Sequence, residues 1–156
     1  MQFLLFHLGS DRYGLSTRHV VRVLPLMDLK QLPQVPPYVA GLMNHHGAPV
    51  PVIDLSLLAC KTHCRAEFDT RILLTDFDAD DGSRHLLGLM VERVSQIVDI
   101  DPGLFLAPGV ANSAAPYLGK VLATDGAMVQ LVELAQLLTS EVRALLFPPD
   151  TQALPC

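Results

Sequence analysis

The chain carries one stretch twice, and a duplicated unit constrains architecture before any single element does. Val35–Leu58 opens on a proline pair and turns at Asn44-His45-His46-Gly47. It then runs through an apolar strand to Asp54-Leu55 and a Leu-rich tail. Displaced by 79 positions, Pro37-Tyr38-Val39 falls on Pro116-Tyr117-Leu118 and Gly47 on Gly126. Val50 falls on Val129, Asp54-Leu55 on Glu133-Leu134, and Leu58 on Leu137. A second block matches at a displacement of 74: Gly14-Leu15 on Gly88-Leu89, Val20 on Val94, Val23 on Ile97 and Leu24 on Val98. The displacement grows from 74 to 79, so the second copy is expected to carry a longer loop near 101–116.

Short apolar segments separated by Gly and Pro turns predict an all-β fold of two five-stranded units. These span roughly 10–66 and 67–147, after an N-terminal strand over 2–8. Together 1–147 would form one domain, with 148–156 as a flexible tail. Closing each unit into a small barrel would remove exposed edges. Hairpins are expected around Asn44–Gly47 and around Asp78–Gly82, with Val94–Ile100 as a further strand. On Val20–Leu24, alternation puts Val21 and Val23 on one face and Val20, Arg22 and Leu24 on the other. Pro49 and Pro51 lack amide hydrogens on one side of their strand, which predicts a sheet edge there. Leucines and valines at helical spacing predict one helix over 133–147, with a break allowed near Thr139.

Half of the 156 residues are hydrophobic and 17% are charged, enough to bury a core. A net charge of −5 argues against nucleic acid and against an anionic membrane surface. No apolar run approaches the roughly 18 residues of a membrane span. The start, Met1-Gln2-Phe3-Leu4-Leu5, reads as a strand and not as a signal peptide, so a cytoplasmic location is expected. Three cysteines, Cys60, Cys64 and Cys156, read as free thiols.

Few residues suggest chemistry. His45, His46, Cys60, His63 and Cys64 are the right types for zinc, and a small β-barrel ligand- or metal-binding protein is the alternative reading they support. Structural zinc sites pair two short ligand runs, however, and the turn histidines are the sole second run. The bland reading is a polar linker and an exposed turn, so no metal or other cofactor is expected. The stretch from Asp76 resembles a calcium loop but has Asp81 where glycine is needed and Leu87 where glutamate is needed. Asp54 and Glu133 hold equivalent repeat positions, which suggests one structural job done twice, capping the segment after each strand, with Glu the poorer cap. No phosphate loop, nucleophile elbow or zinc-protease motif is present, so no catalytic residue is expected.

The same residues carry a family likeness. Tyr13-Gly14-Leu15, Val20-x-x-Val23, Pro36-x-Tyr38-Val39-x-Gly41-Leu42-Met43-Asn44-x-x-Gly47 and Val50-Pro51-Val52-Ile53-Asp54-Leu55 resemble the first half of CheW-like domains. Gly88 to Ile97, Pro116-Tyr117-Leu118-Gly119 and Leu131-Val132-Glu133-Leu134-x-x-Leu137-Leu138 resemble the second half. The resemblance implies two SH3-like five-stranded β-barrels around a shared core. It implies a non-enzymatic adaptor in a chemotaxis array, coupling chemoreceptor signalling tips to the regulatory domain of a CheA-type histidine kinase. It further implies a monomeric or weakly self-associating protein, recruited from the cytoplasm to membrane-associated receptors. A detached homologue of the kinase regulatory domain, acting as a competitor, is a third reading. The partner-binding residues implied are Val20, Arg22, Val23, Asn44, His45, His46, Gly47, Val94 and Ile97. Two positions depart from the family pattern. His46 stands where arginine is usual, and Arg22 where glutamate is common. The second departure inverts a charge, which suggests a coupler dedicated to one specialised array and insulated from general partners, with a flagellar and a non-flagellar output both open at this point.

Overall fold

A computed structural model describes residues 1–64, 69–78, 82–108, 115–124 and 127–148. The acidic turn at 79–81, Gly126, Cys156 and nearly all of the tail expected over 148–156 lie outside these residues. The strands are β1 (Gln2–Leu8), β2 (Asp11–Ser16), β3 (Val20–Pro25), β4 (Val39–His45), β5 (Ala48–Asp54), β6 (Arg71–Asp78), β7 (Arg84–Asp99), β8 (Leu118–Thr124) and β9 (Ala127–Val132). Two short helices follow the paired hairpins, α1 (Leu55–Cys60) and α2 (Ser140–Leu146). The chain is thus mostly β, and β4 and β8 coincide end for end under the 79-residue displacement.

Sixteen residues long, β7 serves two sheets. Its first half pairs antiparallel with β6 and parallel with β5, and β6 and β5 in turn carry β3 and β4. Its second half pairs with β1, which continues through β2 and β9 to β8. Each sheet therefore has five strands, and neither coincides with one sequence half. The β1–β2 hairpin joins strands of the second repeat, and the β6–β7 hairpin joins strands of the first. Matching bridges, Lys30 to Leu42 and Leu106 to Val121, extend both sheets at equivalent places.

This exchange makes β1 and β6 apolar on both faces. On β1, Leu4, Phe6 and Leu8 enter a central core and Phe3 and Leu5 a smaller one inside their own sheet. On β6, Leu73 and Phe77 enter the central core, and Ile72 and Leu74 that of the other sheet. Thr75 is fully buried, its hydroxyl donating to the Leu87 carbonyl at 2.7 Å. Gly88 lets β7 pass between its neighbours: a Cβ there would stand 3.0 Å from both Ile72 and Val52.

Pro49 and Pro51 precede the parallel pairing of β5 with β7, which begins at Val52. Up to that point β5 has a partner on one side only, so the missing amide hydrogens cost no ladder bond. The helix expected over 133–147 is instead two pieces. Leu134–Gln136 forms a short 3₁₀ turn, and α2 starts only after Thr139, whose hydroxyl accepts from the Val142 amide at 3.2 Å. A side-chain cap is worth about 1 kcal/mol and competes with helix continuation at that residue. Phe147, just past α2, stacks on Phe77 and His85 at 5.5 and 4.5 Å and ties the helix to the β6–β7 hairpin. Among the described residues no helix is long and apolar enough to cross a membrane.

Candidate functional site

The residues assigned to partner binding lie on three elements. The first is β3, at the end of the strand order. Its register with β6 shifts between Val20 and Arg22, leaving Val21 as an extra residue. A bulge of this kind moves every later side chain to the opposite face. Strict alternation therefore fails here. Val20 packs on the central core, whereas Leu24 packs on the core of its own sheet. The flip puts Val23 on the face of Val20, 42% exposed, and leaves Arg22 exposed and without an ion-pair partner among the described residues.

The second element is the far half of β7, which the 74-residue displacement equates with β3. Its register with β1 shifts between Leu5 and His7, and Arg93 takes a positive φ of 48° there. Here β7 carries two extra residues, since Leu5 pairs with Gln96 and His7 with Glu92, yet the outcome resembles that on β3. Val94 packs on the central core, Val98 on the core of its own sheet, and Ile97 is 58% exposed. The structure thus sets Val20 and Val94 against one core and leaves Val23 and Ile97 uncovered on equivalent strands.

The third element is the β4–β5 turn. His45 pairs with Ala48, so the loop is His46-Gly47, with φ of 54° and 87°. Two positive φ values are the mark of a type I′ turn, whose twist suits a hairpin. Histidine is among the few side chains that tolerate the first position, and glycine fills the second. The Gly47 amide donates to Asn44 Oδ1 at 2.8 Å, and the His45 and His46 rings meet edge to face at 4.4 Å. His46 is exposed, so an imidazole occupies the tip where the family pattern has a guanidinium.

Other polar residues build the frame around these elements. Asp54 is 5% exposed and caps α1, accepting from the Leu57 amide at 3.0 Å. It also accepts from the Cys64 amide, and His63 Nδ1 stands 3.8 Å away. Glu133, its repeat counterpart, makes no side-chain cap. Glu92, at the point where β7 changes sheets, is 8% exposed and accepts from the Gly9 amide at 3.0 Å. Sequence reasoning misses Glu92, although an acid inside an apolar run, Val91-Glu92-Arg93-Val94, is a readable signal. It misses helix α1 too, which reads as a Leu-rich tail.

Burial pushes the Cys60 thiol up and the Cys64 thiol much further up, with nearby Asp and Glu carboxylates adding to both shifts. Both thiols therefore hold their protons more tightly than a free cysteine does. His45, His46, Cys60, His63 and Cys64 do not gather into one site. Among the described residues no three His, Cys, Asp or Glu side chains stand close enough to hold a metal.

Comparison with known proteins agrees with this geometry. A family model described as CheW-like domain matches residues 2–142. The chemotaxis protein CheW of Rhizobium meliloti is 30% identical over 145 residues, covering 91% of this chain and 90% of that protein. CheW of Klebsiella aerogenes is 27% identical over 146 residues, covering 92% and 85%. Protein FrzA of Myxococcus xanthus is 29% identical over 148 residues, covering 92% and 89%. The crystal structure of the scaffolding protein TtCheW from Thermoanaerobacter tengcongensis superposes with a TM-score of 0.74 at 24% identity, over 86% of this chain and 84% of that one, and so shares the fold. With the duplicated sheets, a register shift on each of the two repeat-related strands and a family match over nearly the whole length, this chain belongs to the CheW-like domain family.

Proposed function

We propose that the protein is a non-enzymatic chemotaxis adaptor that couples chemoreceptor signalling tips to a CheA-type histidine kinase. It binds the receptor and the kinase regulatory domain at once, and holds them in a fixed geometry. It works in the cytoplasm and joins receptor arrays at the membrane through these contacts. Weak individual contacts suffice, because each raises the effective concentration for the next.

The observation that carries this reading is the repeat-equivalent pair Val23 and Ile97. Both are large apolar side chains, 42% and 58% exposed, and on β3 the neighbouring Val21 is exposed as well. Uncovered apolar residues at two equivalent places suit a protein that meets partners with its barrel surfaces. Arg22 beside Val23, and His46 at the hairpin tip, support a coupler dedicated to one specialised array. A cation at the first position disfavours partners built to meet an acid.

The test is reconstitution from purified receptor signalling fragments, the kinase of the same gene neighbourhood and this protein, with kinase autophosphorylation as the readout. Activity that rises only with all three present supports coupling. Binding to neither partner would leave the family fold without the family role.

A further inference from the structure

The mouth of the sheet formed by β1, β2, β8, β9 and the far half of β7 is an open cleft of about 310 Å³. Its floor is apolar. Phe3 and Phe105 meet at 5.1 Å with planes tilted by 60°, and Leu131 lines the side. These belong to a small core of its own, separate from the central one. The rim is charged with both signs. Arg18 and Lys120 reach it from the turn after β2 and from β8, and Glu133 closes it after β9. None of the three has an ion-pair partner among the described residues.

The repeat shows that Glu133 is unusual. Its counterpart Asp54 is buried and satisfied by backbone amides. Glu133 caps nothing and lies over Gly119, where a Cβ would stand 2.7 Å from its Oε1. One copy of the repeat has therefore closed its carboxylate into the fold, and the other presents it beside two cations and an apolar floor.

We propose that this cleft binds a free α-amino acid with an apolar side chain. Arg18 and Lys120 receive the carboxylate, the guanidinium fork suiting two oxygens. Glu133 receives the ammonium. The side chain lies against the half-buried Leu131, over the packed pair Phe3 and Phe105. A ligand with one charge only would leave part of the rim unmatched, and a large one would not fit, since the volume is at the low end for small-molecule pockets. Exposed ion pairs are weak in water, so the dissociation constant is expected to be roughly millimolar. None of the residues that line the cleft is among those assigned to partner binding.

The experiment is an amide-resolved NMR titration of the full chain with phenylalanine, 3-phenylpropionate and 2-phenylethylamine. Phenylalanine is expected to give saturable shifts at Phe105, Lys120 and Leu131. Removing its amino or its carboxylate group is expected to weaken binding about tenfold or more. Arg18→Ala and Glu133→Gln should each weaken phenylalanine about tenfold without moving the thermal midpoint, whereas Arg12→Ala, away from the cleft, should change neither. Equal binding of all three compounds would overturn the proposal. So would shifts confined to other surfaces, or no saturation by about 20 mM, well past the expected constant.

Discussion

The Cys64 amide donates to both carboxylate oxygens of Asp54, at 3.2 and 3.0 Å. One buried acid thereby fixes the start of α1 and the chain that leaves it. Replacing Asp54 by alanine removes a cap and strands two amides, a cost of about 2–4 kcal/mol. Asparagine keeps the capping oxygen and should cost about 1 kcal/mol. The equivalent change at Glu133, which caps nothing, is expected within about 0.5 kcal/mol of the parent. Urea unfolding of the three variants tests the asymmetry. Equal losses at Asp54 and Glu133 would contradict it.

Gly41 and Gly47 both have positive φ, at 149° and 87°, but only one is crowded. A Cβ on Gly41 would stand 2.5 Å from the Lys30 carbonyl oxygen, on a bridge held by two 2.8 Å bonds between Lys30 and Leu42. A Cβ on Gly47 would meet nothing within 4 Å. Gly47→Ala should therefore cost only the conformational penalty, about 1 kcal/mol. Gly41→Ala should cost about 3 kcal/mol or more, because backbone must move. The difference in thermal midpoint between the two variants is the measurement.

Burial raises the Tyr13 hydroxyl from 10.0 to about 12, with the thiol of Cys60 and the carboxylate of Asp11 adding smaller effects. Tyr117 and Cys60 shift the same way, and Cys64 further. Each of these groups holds its proton more tightly folded than unfolded. Their stabilisation is complete below the unfolded values and is lost as pH rises toward the folded ones. Stability should fall through pH 9–12, with Tyr13 accounting for on the order of 2 kcal/mol of the loss. Tyr13→Phe should flatten the upper part of that fall. An unchanged slope between pH 10 and 12 would count against it.

The repeat was legible because it is written in glycines, prolines and paired apolar residues, and β4 and β8 follow from it directly. The exchange of hairpins between sheets was not. A period-2 pattern shows that a strand is buried on both faces, as on β1, but not which strand lies beside it. The register shifts at Val21 and over 93–95 were hidden for a related reason. An extra residue changes the face of Arg22, Val23 and Leu24 without changing the composition that signals a strand. Helix α1 was missed because Leu55-Ser56-Leu57-Leu58-Ala59-Cys60 is too short to show a helical period, although Asp54 before it is a readable cap. Among the candidate site residues, sequence could name Val20, Val23, Val94 and Ile97 as equivalents. Alternation alone sets Val20 and Val23 on opposite faces, whereas the register shift brings them to one face. Only the structure shows that Val20 is packed there and Val23 exposed.

The charge at position 22 gives the sharpest test of partner choice. Arg22 is exposed on a terminal strand, so Arg22→Glu should fold with the parent's stability to within about 0.5 kcal/mol. An exposed interfacial charge acts on encounter and selection, and reversing it is worth roughly 1–2 kcal/mol where it faces an opposite charge. Arg22→Glu should therefore weaken binding to the dedicated receptor fragment about tenfold and strengthen binding to a general chemotaxis receptor by a similar factor. Raising salt should shrink both effects, since screening shortens the reach of an exposed charge. His46→Arg restores a charged fork at the hairpin tip and should strengthen binding to a general kinase regulatory domain without altering receptor preference. Interferometry with both receptor fragments at two salt concentrations measures the set. If wild type and Arg22→Glu bind the two receptors alike, position 22 does not set partner choice, and the case for a dedicated array loses its main support.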